Sequence, residues 1–212
     1  MDSCAASDVP GQENSALHTA WRVLAYTGMR RGECLALRWR DVDFDSGTIS
    51  IRRSVGLSRV KGERPKLQEG KTKNRDARVV DVDESTMALL RTLKRERGSI
   101  ALQLARDDAI VFGDAEGKHR HPERFSRSFK DHLKRCRKQL EKQGAEPPPE
   151  IRLHDLRHTH ATLLLRKGRP VHIVSRRLGH KSEMITLSVY THAMPGDQRE
   201  AANSFAALVA DA

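Results

Sequence analysis

The run GAEPPPE at positions 144–150 constrains this chain more than any other stretch. Proline lacks the amide hydrogen that a helix or a central strand needs, and it drives the residue before it out of the helical region. Pro147, Pro148 and Pro149 in succession therefore end whatever precedes them. The chain divides there, within one domain or between subdomains, into a first part of mixed periodicity and a second part that reads as helix nearly throughout. In the second part HDLRHTHATLLLRKG, PVHIVSRRLGH with Pro170 at the first helical position, and EMITLSVYTH follow one another as helices. The last segment, DQREAANSFAALVA, puts Ala202, Phe205 and Val209 on one face.

Before the prolines, Leu17, Trp21 and Leu24 recur at helical spacing, with Ser15 as the expected N-cap and Thr27-Gly28 as the stop. RGECLALRW predicts a short helix that carries Cys34, Leu35 and Leu37 toward the core. GTISIRRSV alternates around Ile49 and Ile51, and ARVVDV is rich in β-branched residues, so both predict strands. GLSRVKGERPKLQEGKTKNRD between them is too polar for a core and reads as an exposed β-hairpin or long loop. Asp83 or Ser85 caps a helix through TMALLRTLKRERGSIALQL, and AIVFGD reads as a short strand. In PERFSRSFKDHLKRCRKQL, Phe125, Phe129, Cys136 and Leu140 form an apolar stripe with Arg127, Lys130, Lys134 and Lys138 largely off it, an amphipathic basic helix. The fold class expected is mainly α with a small antiparallel β-sheet (α+β).

The 212 residues suffice for one substantial domain or two small ones. Lys and Arg number 39 against 28 Asp and Glu, a formal net charge of +11. Such an excess favours a polyanionic partner, because each cation that neutralises a phosphate releases a condensed counterion. Cys4, Cys34 and Cys136 are widely spaced, suggest neither a disulfide framework nor a thiolate metal site, and read as reduced thiols. The opening residues have no apolar signal-peptide region, and 1–14 read as a flexible leader. Nothing in the composition suggests a membrane protein.

Several constellations could carry chemistry. In HDLRHTH, His154 and Arg157 share a helix face, an imidazole beside a fixed cation that suits an anionic oxygen. His154 and His158 have a spacing that can hold zinc, but Asp155 rather than a water-activating Glu follows His154, so no metal is expected. In TGMRRGE, Arg30 lies three residues before Glu33, whose carboxylate could hold the guanidinium or form an ordinary surface pair. The flexible stem of Lys71 or Lys73 could reach a groove and protonate a leaving oxygen, and chemistry alone does not separate the two. Gly179 permits a left-handed helix end that presents His180 beyond it. Tyr190, one of two tyrosines, follows ten positions later.

TGMRRGE, a lysine hairpin, HDLRH, LGH and a late tyrosine, in that order from about Ser15 to Met194, resemble the catalytic domain of tyrosine recombinases, the phage-integrase family. The resemblance implies that residues 15–212 are that domain, without the family's N-terminal core-binding domain. It implies that Arg30 and Arg157 clasp a scissile phosphate, that His154 and His180 hydrogen-bond its oxygens, His154 also being a candidate proton acceptor, and that Glu33 supports the site. Lys71 would act as general acid toward the 5′ oxygen, and Tyr190 as the nucleophile that forms a 3′-phosphotyrosyl link. Arginines would do what a divalent ion does in a nuclease, so neither cofactor nor metal is implied. Arg31, Lys73, Arg127, Lys130 and Lys134 are expected along double-stranded DNA. The full-length protein would assemble as a homo-tetramer through its C-terminal helix, the isolated domain being a monomer or not, in the cytoplasm of a bacterium at the nucleoid, encoded by the host or a phage. A type IB topoisomerase shares the tyrosine chemistry, although LGH and TGMRRGE favour the recombinase. A non-catalytic DNA-binding module would keep the basic patches without needing Lys71, His154, Arg157, His180 and Tyr190 together.

Overall fold

The computed structural model describes residues 12–58, 65–71 and 77–190, and positions 202, 203, 205, 206 and 209 of the C-terminal segment. Helix α1 (Gln12–Thr27) begins before the expected cap, so Ser15 lies inside it and its hydroxyl donates to Glu96 instead. The α1 face carrying Ala16, Ala20, Val23 and Leu24 is buried against helix α3 (Glu84–Ile100) and helix α5 (Asp155–Arg166). Of the two candidate caps for α3, Asp83 takes the position, accepting from the Thr86 amide at 3.0 Å.

GTISIRRSV does not form one strand. It breaks at Arg52 into β2 (Thr48–Ile51) and β3 (Arg53–Ser58), which feed different sheets. Strand β2 lies between β1 (Val42–Asp43) and β5 (Arg78–Asp81), antiparallel to both, with Ile49 opposite Val42 and Val80 so that all three side chains enter the core. β3 pairs with β4 (Lys66–Lys71), confirming the exposed hairpin. Glu69 fastens this hairpin to the body, accepting from Arg38 at 3.1 Å and contacting His119 Nε2 at 2.7 Å.

The expected strand at AIVFGD is absent: Ile110 makes a single bridge to Arg38, and turns follow. Val111 and Phe112 are nevertheless fully buried, so the apolar run reflects a core-filling loop rather than a ladder. Helix α4 (Pro122–Lys142) starts with proline at its first position and buries Phe125, Phe129 and Cys136 as the stripe requires. Cys34 is a free buried thiol. No helix among the described residues is long and apolar enough to cross a membrane.

After the prolines, α5, α6 (Val171–Leu178) and α7 (Glu183–Tyr190) pack on one another. Their contact is a small second core of Ala161, Leu165, Val174, Leu178 and Tyr190, separate from the large one. Of the C-terminal segment, the described positions are helical with Phe205 and Val209 exposed; the expected packing of this helix on a neighbour lies otherwise outside the described residues.

Candidate functional site

Helix α1 ends in a way that builds one wall of the site. Gly28 is left-handed at φ +67°, and a Cβ there would come within 2.8 Å of both His160 and Leu178. Only glycine lets α1 turn at this point while α5 and α6 approach so closely. The freed Gly28 carbonyl accepts from Arg157 Nη1. Five residues on, Glu33 in the first turn of α2 (Arg31–Leu35) reaches back to the Arg30 amide at 2.8 Å.

Glu33 is 3 % exposed and receives two guanidiniums. Arg30 Nη1 donates to Oε1 at 3.0 Å, and Arg78 donates from both terminal nitrogens, at 3.0 and 2.7 Å. Burial opposes the charge on Glu33, but the hydrogen bonds and charges of Arg78 and Arg30 prevail, and its carboxyl lies below the usual range. Arg30 Nη2 also donates to the Gly179 carbonyl at 3.0 Å, which ties the α2 end to the α6 end. Gly179 is the expected left-handed cap at φ +67°, with the Arg78 guanidinium where a Cβ would stand.

Arg157, only 4 % exposed, leaves Nη2 without a hydrogen-bond partner among the described residues. Burial, followed by the charge of Arg30, lowers its guanidinium to about 10, with Glu33 pulling up and Arg78 pulling down. His180 is in the same field: burial, then the charges of Arg157, Arg30 and Arg78, bring it to about 4, so it is neutral near pH 7. Its Nδ1 is bonded to Thr186 Oγ1 at 2.8 Å, which leaves Nε2 as its unengaged nitrogen.

Tyr190 closes the arrangement from α7. Its ring is 4 % exposed in the second core, and its hydroxyl lies 2.8 Å from His158 Nδ1. Burial pushes the phenol above its ordinary value, with Arg157 only partly opposing it. His154 is exposed at the start of α5, its ring edge-on to His158 with centroids 4.9 Å apart. It also lines a small cavity with Leu24, Met29, Arg31 and Arg157.

The structure thus brings Arg30, Glu33, Arg157, His180 and Tyr190 within electrostatic reach of one another, with His154 at the rim. Lys71 ends β4 opposite Arg53; its side chain, and all of Lys73, lie outside the described residues. Arg127, Lys130 and Lys134 are exposed on one face of α4, away from Phe125 and Phe129, while Arg31 donates to Ser126 at the start of that helix. Reading the sequence missed Arg78. Its signal was available: in ARVVDV it shares the inward face with Val80, and a cation at an inward register position requires a buried acid.

A profile described as the Phage integrase family matches residues 5–196. The chain belongs to the phage integrase family. Within it, the chain is 31 % identical to a tyrosine recombinase XerC-like protein of Caldanaerobacter subterraneus subsp. tengcongensis, over 82 % of this chain and 45 % of that one. It is also 31 % identical to the ICEBs1 integrase of Bacillus subtilis, over 91 % of this chain and 49 % of that one. The chain therefore spans about half the length of these relatives. In fold it is similar to the Tn1549 transposon integrase solved with transposon right end DNA, at TM-score 0.69 and 23 % identity over 94 % of this chain and 65 % of that one. The XerA recombinase superposes at TM-score 0.59 and 23 % identity over 95 % and 67 %.

Two stability effects follow from this geometry. Glu33→Ala leaves Arg30 and Arg78 beside Arg157 with no carboxylate between them, and uncompensated buried charge of this kind costs about 3 kcal/mol. Urea unfolding of the variant should show that loss; a wild-type midpoint would contradict it. The second effect concerns pH. His160, engaged by the Ala25 carbonyl and by Arg177, is held at about 4 by burial and the Arg177 charge, and His180 is also at about 4. Both lie below the ordinary value near 6.5, so between these limits the unfolded chain binds more protons than the folded one. Stability is full above about pH 6.5 and is lost as pH falls from there toward about 4. Urea midpoints measured at pH 7 and pH 5 should differ in that direction, and less so in His160→Gln.

Proposed function

We propose that residues 15–212 form the catalytic domain of a site-specific DNA recombinase that cleaves and rejoins strands through a 3′-phosphotyrosyl intermediate. One observation carries this reading: the guanidiniums of Arg30 and Arg78 both bond the single carboxylate of Glu33, that of Arg157 lies in the same field, and a buried N–H of Arg157 has no partner among the described residues. A cluster so short of negative charge is completed by an anion. A phosphodiester fits, because its non-bridging oxygens gain charge as it is attacked and fixed donors then count for more than in the ground state.

In this reading Arg30 and Arg157 hold the non-bridging oxygens, His180 donates from Nε2, and His154 approaches from the rim. Glu33 and Arg78 keep Arg30 aimed. Tyr190 attacks phosphorus, and Lys71, or Lys73 beside it, protonates the leaving 5′ oxygen. The ester bond is conserved in the protein–DNA link, so rejoining needs no ATP. Arg31, Lys73, Arg127, Lys130 and Lys134 follow the backbone of double-stranded DNA. The full-length protein works as a homo-tetramer on two duplexes, at the nucleoid. The related complexes support this reading: the Tn1549 integrase is solved with transposon DNA, and the XerH recombinase with its difH substrate.

The test uses a nicked duplex spanning the junctions of the element that encodes the chain. An adduct that survives denaturant, forms in EDTA and maps by mass spectrometry to the Tyr190 peptide supports the proposal. Binding with no adduct supports a DNA-binding module instead. Resealing without transfer to a second duplex indicates a topoisomerase.

A further inference from the structure

The phenol of a tyrosine nucleophile has a proton to lose, and the fold supplies a specific place for it. Tyr190 is buried in the small core between α5, α6 and α7, where burial keeps the phenol protonated. It becomes a strong nucleophile only if a base takes the proton as the oxygen bonds. Most neighbouring groups are already committed, apart from His180 Nε2, the proposed phosphate donor, and His154 at the rim. Both Glu33 oxygens are bonded to arginines, His180 Nδ1 is bonded to Thr186, and Arg157 is a donor. Among the described residues the partner of Tyr190 Oη is His158 Nδ1, at 2.8 Å, with the two rings inclined at 53°.

His158 directly follows Arg157 on α5, so one turn of helix carries both the phosphate donor and the group that faces the phenol. We propose that His158 orients Tyr190 and accepts its proton through Nδ1 during strand cleavage, an inference that rests on Tyr190 being the nucleophile. The neutral ring then carries its hydrogen on Nε2. As Tyr190 Oη bonds to phosphorus, its O–H bond breaks and the proton passes to Nδ1. The bond from phosphorus to the 5′ oxygen breaks, and that oxygen leaves with the electron pair and takes a proton from the lysine general acid. On rejoining, a 5′ hydroxyl attacks and gives its proton to the now neutral lysine, the phenolate departs, and the imidazolium returns its proton to the phenolate.

Two measurements on the full chain test this. Without DNA, ¹⁵N spectra of the imidazoles should show His158 with an unprotonated, hydrogen-bonded Nδ1 whose signal moves in Tyr190→Phe; a hydrogen on Nδ1 overturns the proposal. The second compares nicked junction duplexes with an ordinary scissile phosphodiester and with a 5′-bridging sulfur, a leaving group that departs without a proton. His158→Ala and His158→Asn should cleave both about 10²-fold more slowly or worse while binding DNA as wild type. Asparagine keeps an oxygen acceptor near the Nδ1 position, and its melting temperature checks that folding is intact. Full rate in His158→Asn overturns the proton transfer, and rescue by sulfur places the defect at the leaving group, which also overturns it. An adduct in Tyr190→Phe sinks the nucleophile assignment and this inference together. An inert Tyr190→Phe beside fully active His158 variants sinks this inference alone.

Discussion

Tyr190→Phe should form no covalent complex with DNA, and its cleavage rate should fall by at least 10⁵-fold, on the order seen when a hydrolase loses its nucleophile. No described group can replace it: Tyr26, the other tyrosine, is exposed on α1, and the nearby imidazoles either face Tyr190 or sit at the rim. The substitution keeps the ring in the core of Leu165, Val174 and Leu178 and deletes only the hydroxyl. Stability should therefore fall by no more than the bond to His158, about 1 kcal/mol. DNA affinity should match wild type, because the arginine cluster is untouched. Gel analysis of adducts and a filter-binding isotherm check both halves; an unchanged cleavage rate would remove Tyr190 from the chemistry.

Arg157→Met should separate activity from stability in the opposite direction. Cleavage should drop by about 10²–10³-fold, the loss typical of one preorganised donor to a developing oxyanion. The melting temperature should stay level or rise. Arg157 is held at 4 % exposure beside Arg30 and Arg78, and its guanidinium is drawn down to about 10. Maintaining that charge costs the folded protein roughly 3 kcal/mol, the free energy that corresponds to its displacement below the ordinary arginine range. Methionine removes the repulsion and the unpartnered Nη2 while filling similar volume, and gives up the bond to the Gly28 carbonyl. In the proposed function a bound phosphate would relieve this repulsion. Steady cleavage rates in Arg157→Met, or a collapse in melting temperature, would contradict the account.

Helices α3 and α6 were readable because they carry their own start or stop signals. Pro170 opens α6, Gly179 closes it in the left-handed conformation, and Asp83 caps α3, all through bonds within a few residues. The lysine-rich hairpin was legible from polarity, and the membership of the family from the order of short motifs. AIVFGD misled because an apolar, β-branched run looks alike whether it pairs in a sheet or fills a core as a loop, as Val111 and Phe112 do.

By itself the sequence determined the local elements and the residue types available for chemistry, since capping, turn and periodicity preferences act over a few positions. Tertiary structure decided which of those residues meet. Arg78 reaches Glu33 across 45 positions and His158 reaches Tyr190 across 32, and no local preference encodes either contact. It also set the sense of the electrostatics: burial neutralises His180 and keeps the Tyr190 phenol protonated, while the same burial leaves Arg157 charged with an open donor. Desolvation depends on what packs around a group, and that is a property of the folded chain alone.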